Sequence, residues 1–318
     1  MILVLGGNGY VASAFAEELR RSGRPYLLLS RSQKDYTAPA VLRSLLRECK
    51  PEFVVNAAGY TGKPNVDACE TDRANCLFGN AVFPGYLREV CEDLKLPWGQ
   101  ISSGCIYSGE KDGGTGFLET DPPNFCFRTG NSSFYSGTKA LGEEVLAGAD
   151  RCYIWRIRIP FNEQPNPRNY LQKLISYDTL LDARNSISHL NEAVRAALAC
   201  FDRRVPYGIY HVTNPGSVTT RQVVSWMRDE AERRKALRLF NPFDRSFRFF
   251  DSEAEFRARA AQTPRSNCVL DSSKLLSTGI RLTPVEEAVR SALRAWPSVL
   301  LGRARPGIPE MGDVFLPG

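Results

Sequence analysis

Tyr135 and Lys139 stand at the two ends of Tyr135-Ser-Gly-Thr-Lys139. On a helix this spacing puts a phenol and an ammonium on one face, one turn apart. A cation near a phenol favours the phenolate and draws its pKa down toward working pH. Such a phenol can give a proton to a carbonyl oxygen as hydride reaches the carbonyl carbon. Ser103, in Ile101-Ser-Ser103-Gly-Cys105, is a second group able to hydrogen-bond that oxygen. Cys105 follows two residues later, and a thiolate beside cations is a competent base. Asn80 is placed to fix a water or a backbone group near Lys139. Each also has a plain structural reading: a surface helix pair, a Ser-Ser turn, an inert buried thiol and a solvent-facing helix amide.

A group that supplies hydride needs its own cradle. Leu5-Gly6-Gly7-Asn8-Gly9-Tyr10-Val11-Ala12 has Gly6 and Gly9 three apart and small Ala12 three further on. Glycine lets a backbone approach a pyrophosphate at a helix N-terminus, and a small third residue lets helix and strand pack closely. The position, after a strand-like run and before a helical one, points to dinucleotide binding; a glycine turn without a ligand is the alternative. The next strand-like run ends Leu29-Ser30-Arg31-Ser32, where an acidic residue would take the ribose 2′-OH of NAD. Arg31 suits the 2′-phosphate of NADP instead, unless it is a solvated surface charge.

These residues require a sheet whose strand ends open on one crevice. Apolar runs and helical patterns alternate over the first two-thirds of the chain, which predicts βαβ units around a parallel sheet. Strands are expected at Ile2–Leu5, Tyr26–Leu29, Phe53–Asn56, 98–102, Cys152–Ile157, near Ile187 and at 209–212. Helices are expected at 10–22, 40–49, 71–94, 133–146 and 191–201. The expected fold is α/β, a doubly wound Rossmann parallel sheet with a smaller C-terminal substrate lobe. The dinucleotide domain is assigned to residues 1–160, with 186–214 returning to it, and the lobe to 161–185 and 215–318.

The 318 residues are 43% hydrophobic and 24% charged, which excludes a disordered chain and a small disulfide scaffold. The apolar runs are too short for a membrane span, and the N-terminal run reads as a buried strand rather than a signal peptide. A net charge of +6 suits an anionic small molecule; the arginines are scattered, which argues against nucleic acid. The 9 cysteines lack zinc or CxxC spacing and read as reduced thiols of a cytoplasmic protein. With only 2 histidines, a His-based metal site is not expected.

Taken together, Gly6-x-x-Gly9-x-x-Ala12, Ser103 and Tyr135-x-x-x-Lys139 resemble the extended short-chain dehydrogenase/reductase superfamily. Within it the chain is similar to dTDP-4-dehydrorhamnose reductases, and closer to the bifunctional UDP-4-keto-6-deoxyglucose 3,5-epimerase/4-reductases. The stretches that carry the resemblance are Asn56-Ala-Ala-Gly-Tyr-Thr-Gly-Lys-Pro-Asn-Val-Asp-Ala-Cys-Glu70, Gly104-Cys-Ile106, Pro123-Asn-Phe125, Phe134-Tyr-Ser136, Asn166-Pro-Arg-Asn169, Thr213-Asn-Pro-Gly216 and Pro264-Arg-Ser-Asn267. They run over nearly the whole chain in order.

The resemblance implies NADP(H), held by Gly6, Asn8, Gly9, Tyr10, Val11, Ser30, Arg31, Asn56, Ala57 and Ala58 together with Tyr135 and Lys139. It implies reduction of a C4 ketone by Ser103, Tyr135 and Lys139, and 3,5-epimerisation by Cys105 and Lys173. A partly buried lysine can have its pKa lowered into the useful range; a solvated helix lysine is the alternative. The nucleotide sugar, carried on UDP or dTDP, is expected against Asn65, Asp67, Asn124, Arg168, Asn169 and Arg265. Arg265 is the one matched to the diphosphate, while Asn65 and Asp67 could equally stabilise their own turn. The protons on C3 and C5 are acidified by the C4 ketone, so epimerisation has to precede reduction. The expected product is an L-rhamnose-type nucleotide sugar, and the expected assembly is a homodimer without metal or membrane.

Two features bear on this. Gly104-Cys105 follows Ser103 where 4,6-dehydratases carry Asp-Glu, which argues against dehydration. Cys126-Phe-Arg-Thr-Gly-Asn-Ser-Ser133 is longer than in the plant-like members and leaves the exact sugar open. A plain 4-reductase, a C4 epimerase of another nucleotide sugar and a non-catalytic NADP-binding protein are the alternatives. The last fits poorly with intact Ser103, Tyr135 and Lys139.

Overall fold

The computed structural model describes residues 1–63 and 65–297. Its main sheet has six parallel strands: β1 (Ile2–Leu5), β2 (Tyr26–Leu29), β3 (Phe53–Asn56), β4 (Trp98–Ser103), β5 (Cys152–Ile157) and β6 (Gly208–His211). Their order across the sheet is β2-β1-β3-β4-β5-β6. Leu5 lies opposite both Leu29 and Asn56, so β1, β2 and β3 end level; Asn56 lies opposite Gln100, and β4 and β5 run three residues further, to Ser103 opposite Ile157. The order reverses between β1 and β3, which is where such sheets open a crevice beyond their C-terminal ends.

Both faces of the sheet are covered, as parallel strands require. Side chains alternate along each strand. Ile2, Val4, Phe53, Val55, Tyr153 and Trp155 meet the helices Tyr10–Arg21 and Leu190–Asp202. Leu3, Leu5, Val54, Trp98, Cys152 and Ile154 meet the helices Pro39–Cys49 and Phe83–Asp93. Gly99 is required at its place in β4: a Cβ there would lie 2.1 Å from the Trp155 ring.

The long helix expected at 71–94 is divided. Helix Arg73–Leu77 runs into a π turn at Phe78–Val82 before Phe83–Asp93 continues. Pro84 lacks the N–H that would meet the Asn80 carbonyl, so the ladder slips register there. The strand expected near Ile187 is Ser188–His189, paired with Pro160–Phe161 outside the main sheet. A second core gathers Phe161, Leu171, Leu174, Val223, Met227 and Val289 between the helices Tyr170–Ser176, Thr220–Ala236 and Val285–Ala295. Residues 273–282, assigned to this lobe from sequence, pack elsewhere: Leu275, Ile280 and Leu282 belong to the core beneath the sheet. The part of the expected lobe at 298–318 lies outside the described residues. Among the described residues no helix is long and apolar enough to cross a membrane, and no group of His, Cys, Asp or Glu could hold a metal.

Candidate active site

At the crevice, Gly6 adopts φ +91°, and a Cβ there would lie 2.6 Å from the Ala58 amide nitrogen. The end of β1 can therefore press on the turn after β3 only without a side chain. Gly9 begins the helix Tyr10–Arg21 with no side-chain cap, and no acidic residue occupies its first turn. The free N–H groups of that turn are open to an anion. Beside them Asn8 donates to Ser32 Oγ at 3.4 Å, and Ser30 is held by Gln33 at 2.9 Å. Arg31 is exposed at the end of β2. A cleft of about 440 Å³ is lined by Gly6, Asn8, Gly9, Ser30, Arg31, Ala57 and Ala58. An uncapped helix start, a Cβ-free approach and a free guanidinium fit a dinucleotide carrying a 2′-phosphate.

The side chains of three residues expected on the cofactor lie behind the cleft, although the backbone N–H groups of Tyr10 and Val11 belong to the open helix turn. The Tyr10 hydroxyl donates to Asn162 Oδ1 at 2.8 Å, and Val11 packs on the core beneath the sheet. Asn56 is fully buried; it donates to Gln100 Oε1 at 2.7 Å and accepts the Ala58 N–H at 3.1 Å. It shapes the Ala57–Ala58 turn rather than facing the cleft. Spacing missed Tyr36, whose buried hydroxyl accepts the Gly6 N–H at 2.9 Å, and Tyr60, Lys63 and Asn75, which line the same cleft. Tyr60 and Lys63 follow directly on the end of β3, and that position is a usable signal.

The helix Phe134–Val145 brings Tyr135 and Lys139, the expected proton-transfer groups, to the tip of β4. Ser133 caps it by accepting the Ser136 N–H at 3.2 Å. Tyr135 is half-buried and Lys139 is buried, with its ammonium donating to the Ile101 carbonyl at 3.2 Å. Ser103 Oγ accepts the Cys105 N–H at 3.2 Å. Burial pushes the Tyr135 phenol up, the nearby Cys105 thiol adds to this, and a hydrogen bond with Ser103 opposes both. Burial pulls Lys139 down, while Cys105, Glu143 and Cys76 beside it oppose this. The lowered phenol expected from Lys139 alone is thus reversed by desolvation: the tyrosine rests as a proton donor.

Asn80, from the π turn, serves backbone. Its side chain accepts the Tyr60 N–H at 3.0 Å, donates to the Tyr60 carbonyl at 2.8 Å and donates to Thr138 Oγ1 at 3.2 Å. It ties the cofactor cleft to the catalytic helix.

Cys105 and Lys173 arise from different cores. Cys105 is buried against Ile106, Cys126, Ala140 and Cys268. Burial raises its thiol, against smaller opposing effects of Ser103, Ser136, Arg158 and Lys139. Lys173, on the helix Tyr170–Ser176, is half-buried, and burial with the charges of Arg168 and Arg265 lowers its ammonium. Arg168 donates to the Gly62 carbonyl at 2.8 Å. Arg265 forks onto Asp67 at 2.6 and 2.7 Å, where Thr263 Oγ1 also donates at 2.8 Å. Burial pushes Asp67 up, but the Arg265 fork and Thr263 outweigh it and hold the carboxyl low.

The other expected sugar contacts are spent locally. Asn65 Oδ1 accepts the Asp67 N–H at 2.8 Å, forming its own turn. Asn124 pairs with both backbone groups of Ser108, at 2.8 and 2.9 Å. Asn169 is fully buried, caps Tyr170–Ser176 through the Leu171 N–H at 3.0 Å and donates to the Asn162 carbonyl at 2.8 Å. Asn169 spends its amide N–H groups on the Asn162 and Gln164 carbonyls, whereas Asn124 uses one N–H and one lone pair and Asn65 one lone pair in these contacts. The long loop before Tyr135 forms a turn at Phe127–Thr129, whose Phe127 fills the space over Gly137.

Comparison with known proteins gives the same answer over the whole described chain. Residues 1–297 match the family described as RmlD substrate binding domain. The chain belongs to this family. The bifunctional dTDP-4-dehydrorhamnose 3,5-epimerase/dTDP-4-dehydrorhamnose reductase of Arabidopsis thaliana is 32% identical over 293 residues, covering 90% of each chain. The crystal structure of the L780 UDP-rhamnose synthase from Acanthamoeba polyphaga mimivirus superposes with a TM-score of 0.81 at 22% identity, over 92% of this chain and 98% of that one. A dTDP-4-dehydrorhamnose reductase from Bacillus anthracis, solved in complex with NADP, superposes with a TM-score of 0.71 at 17% identity, over 93% and 96%. Members of the RmlD family of this kind are enzymes, and this chain is an oxidoreductase on a Rossmann sheet.

Proposed function

We propose that the protein is an NADPH-dependent 3,5-epimerase/4-reductase of a nucleotide-linked 4-keto-6-deoxyhexose. The reduction half rests on Ser103, Tyr135 and Lys139 at the tip of β4, and on the relatives named above. Gly6, Gly9, Ser30 and Arg31 would hold the dinucleotide, which supplies hydride to the C4 carbon when bound. Tyr135, protonated at rest, gives its proton to the C4 oxygen, and Ser103 hydrogen-bonds that oxygen. Lys139 holds the local charge that lets the phenol part with its proton.

The observation that carries the epimerase half is the 32% identity, over 90% of each chain, to a bifunctional 3,5-epimerase/reductase; burial displaces Cys105 upward and Lys173 downward, which agrees with it. A thiol pushed up is a donor, and an amine pulled down is a base. In this reading Lys173 removes the proton beside the ketone, leaving an enolate whose oxygen meets Tyr135 and Ser103. Cys105 returns a proton to the other face. Each inversion leaves an ammonium and a thiolate, which reset by exchange with water before the next carbon is treated.

The test uses UDP- and dTDP-4-keto-6-deoxyglucose in D₂O, with and without NADPH, followed by proton NMR. Deuterium at C3 and C5 with NADPH consumed supports both halves. Consumption without exchange leaves a 4-reductase and reduces Cys105 to a packed thiol. Neither on either substrate refutes the assignment.

A further inference from the structure

The catalytic helix carries a third polar residue in register with Tyr135 and Lys139. Glu143 lies one turn beyond Lys139 on the same face. Its carboxylate is 8% exposed and forms a buried ion pair with Arg156 of β5, at 2.6 Å. Arg156 Nε also donates to it, at 2.9 and 3.1 Å. The Ser102 hydroxyl, one residue before Ser103, donates to the same carboxylate. On its other side Arg156 donates to the Tyr107 hydroxyl at 2.9 Å and reaches His211 Nε2 at 3.0 Å. His211 is held neutral, with its pKa lowered to about 3 by burial and by Arg156. Its Nε2 then accepts from Arg156, and its Nδ1–H donates to the Asp271 carbonyl at 3.0 Å. The segment 102–107, which carries Ser103 and Cys105, is thus gripped at both ends by one ion pair that also holds the helix of Tyr135 and Lys139.

We propose that Glu143 and Arg156 form a positioning brace for the reduction: they fix Ser103 against Tyr135 and supply the counter-charge that keeps Lys139 protonated. This rests on the reductase reading above. The groups facing Lys139 are Tyr135 and Glu143 of its own helix, Cys105 beyond β4 and Cys76 of the helix Arg73–Leu77, with Arg156 of β5 behind Glu143. Only Glu143 among them is a carboxylate. Its loss leaves Lys139 under desolvation and an uncompensated Arg156.

Three variants test this. Glu143→Gln keeps the shape and removes the charge. Because a buried arginine left unpaired can unfold a protein, Glu143→Leu/Arg156→Met removes both partners, a change that buried ion pairs often tolerate. Ser102→Ala removes the link to β4 and keeps the ion pair. In both charge-removing variants the basic limb of the kcat profile for NADPH oxidation should move to lower pH, with KM for NADPH within about twofold. Ser102→Ala should lower kcat about tenfold at all pH, since displacement of reacting groups by a fraction of an ångström is costly. Folded charge-removing variants with the wild-type profile would overturn the counter-charge. Hydrogen exchange reads the brace without substrate: amides of 101–107 and 134–145 should exchange faster in Ser102→Ala, and unchanged rates would overturn the positioning role. Wild type that consumes no NADPH is a failure of the reductase reading instead, and the exchange measurement still decides the brace.

Discussion

Gly142 sets the distance between the catalytic helix and the π turn. A Cβ built on it would stand 2.1 Å from the Asn80 carbonyl oxygen. That oxygen cannot recoil, because the Asn80 side chain is fastened to both backbone groups of Tyr60. In Gly142→Ala the helix Phe134–Val145 must therefore retreat by about 1 Å, carrying Tyr135 away from Ser103. Overpacking of this kind costs about 1–3 kcal/mol of stability, and the misplacement costs about 100-fold in kcat. NADPH affinity should hold within about threefold, because the glycine loop and Arg31 lie at the ends of β1 and β2. Gly85→Ala is the internal control. Its Cβ would meet only the Val145 side chain, at 2.9 Å, and that side chain is 37% exposed and free to rotate. The assay is NADPH oxidation at saturating 4-keto sugar, with a thermal melt and a dinucleotide titration on each variant. A folded Gly142→Ala protein retaining kcat within threefold of wild type, or an equal loss in Gly85→Ala, would refute the claim that this spacing sets the catalytic geometry.

Tyr135→Phe should lose about 10²–10⁴ in the rate of NADPH oxidation with an unchanged melt, measured at 340 nm. Lys173→Arg, which cannot give up its proton, should abolish deuterium exchange beside the ketone while reduction of a ready-made 4-keto-L-sugar continues, as NMR would show. Lys173 sits below its usual pKa, so the wild-type exchange rate should rise with pH through that lowered value and level off above it; a rate falling over this range would make Lys173 the acid rather than the base. Arg31→Ala should raise KM for NADPH about tenfold and leave NADH nearly untouched, in steady-state kinetics with both dinucleotides.

Sheet strands and the order of the catalytic groups were legible because both depend on local pattern. Short apolar runs separated by helical patterns mark β1 to β5, and Tyr135-x-x-x-Lys139 is a single helical turn. The π turn was not legible: Gly79 and Asn80 weaken a helix without saying what kind of break results, and the slip follows from Pro84 acting backward along the chain. Asn124, Asn169 and Asn56 were expected at the ligands from the family resemblance; in the structure they hydrogen-bond Ser108, Leu171 and Ala58, which no spacing rule connects to them. Tyr36 escaped for the opposite reason, since it reaches Gly6 across thirty residues from a loop with no motif. The resting protonation of Tyr135 and Cys105 follows from burial, which depends on elements far apart in sequence.

The fork between Arg265 and Asp67 has a consequence for ionic strength. An arginine already holding a tethered carboxylate does not offer a bare charge to an arriving anion; the newcomer competes with a neighbour present at high local concentration. Added salt weakens the attraction of the newcomer and the grip of Asp67 together, over the same screening length of about 8 Å at physiological strength. The two effects oppose each other in the measured affinity. Substrate binding should therefore change less with salt than the neighbouring guanidinium groups of Arg168 and Arg265 would produce alone.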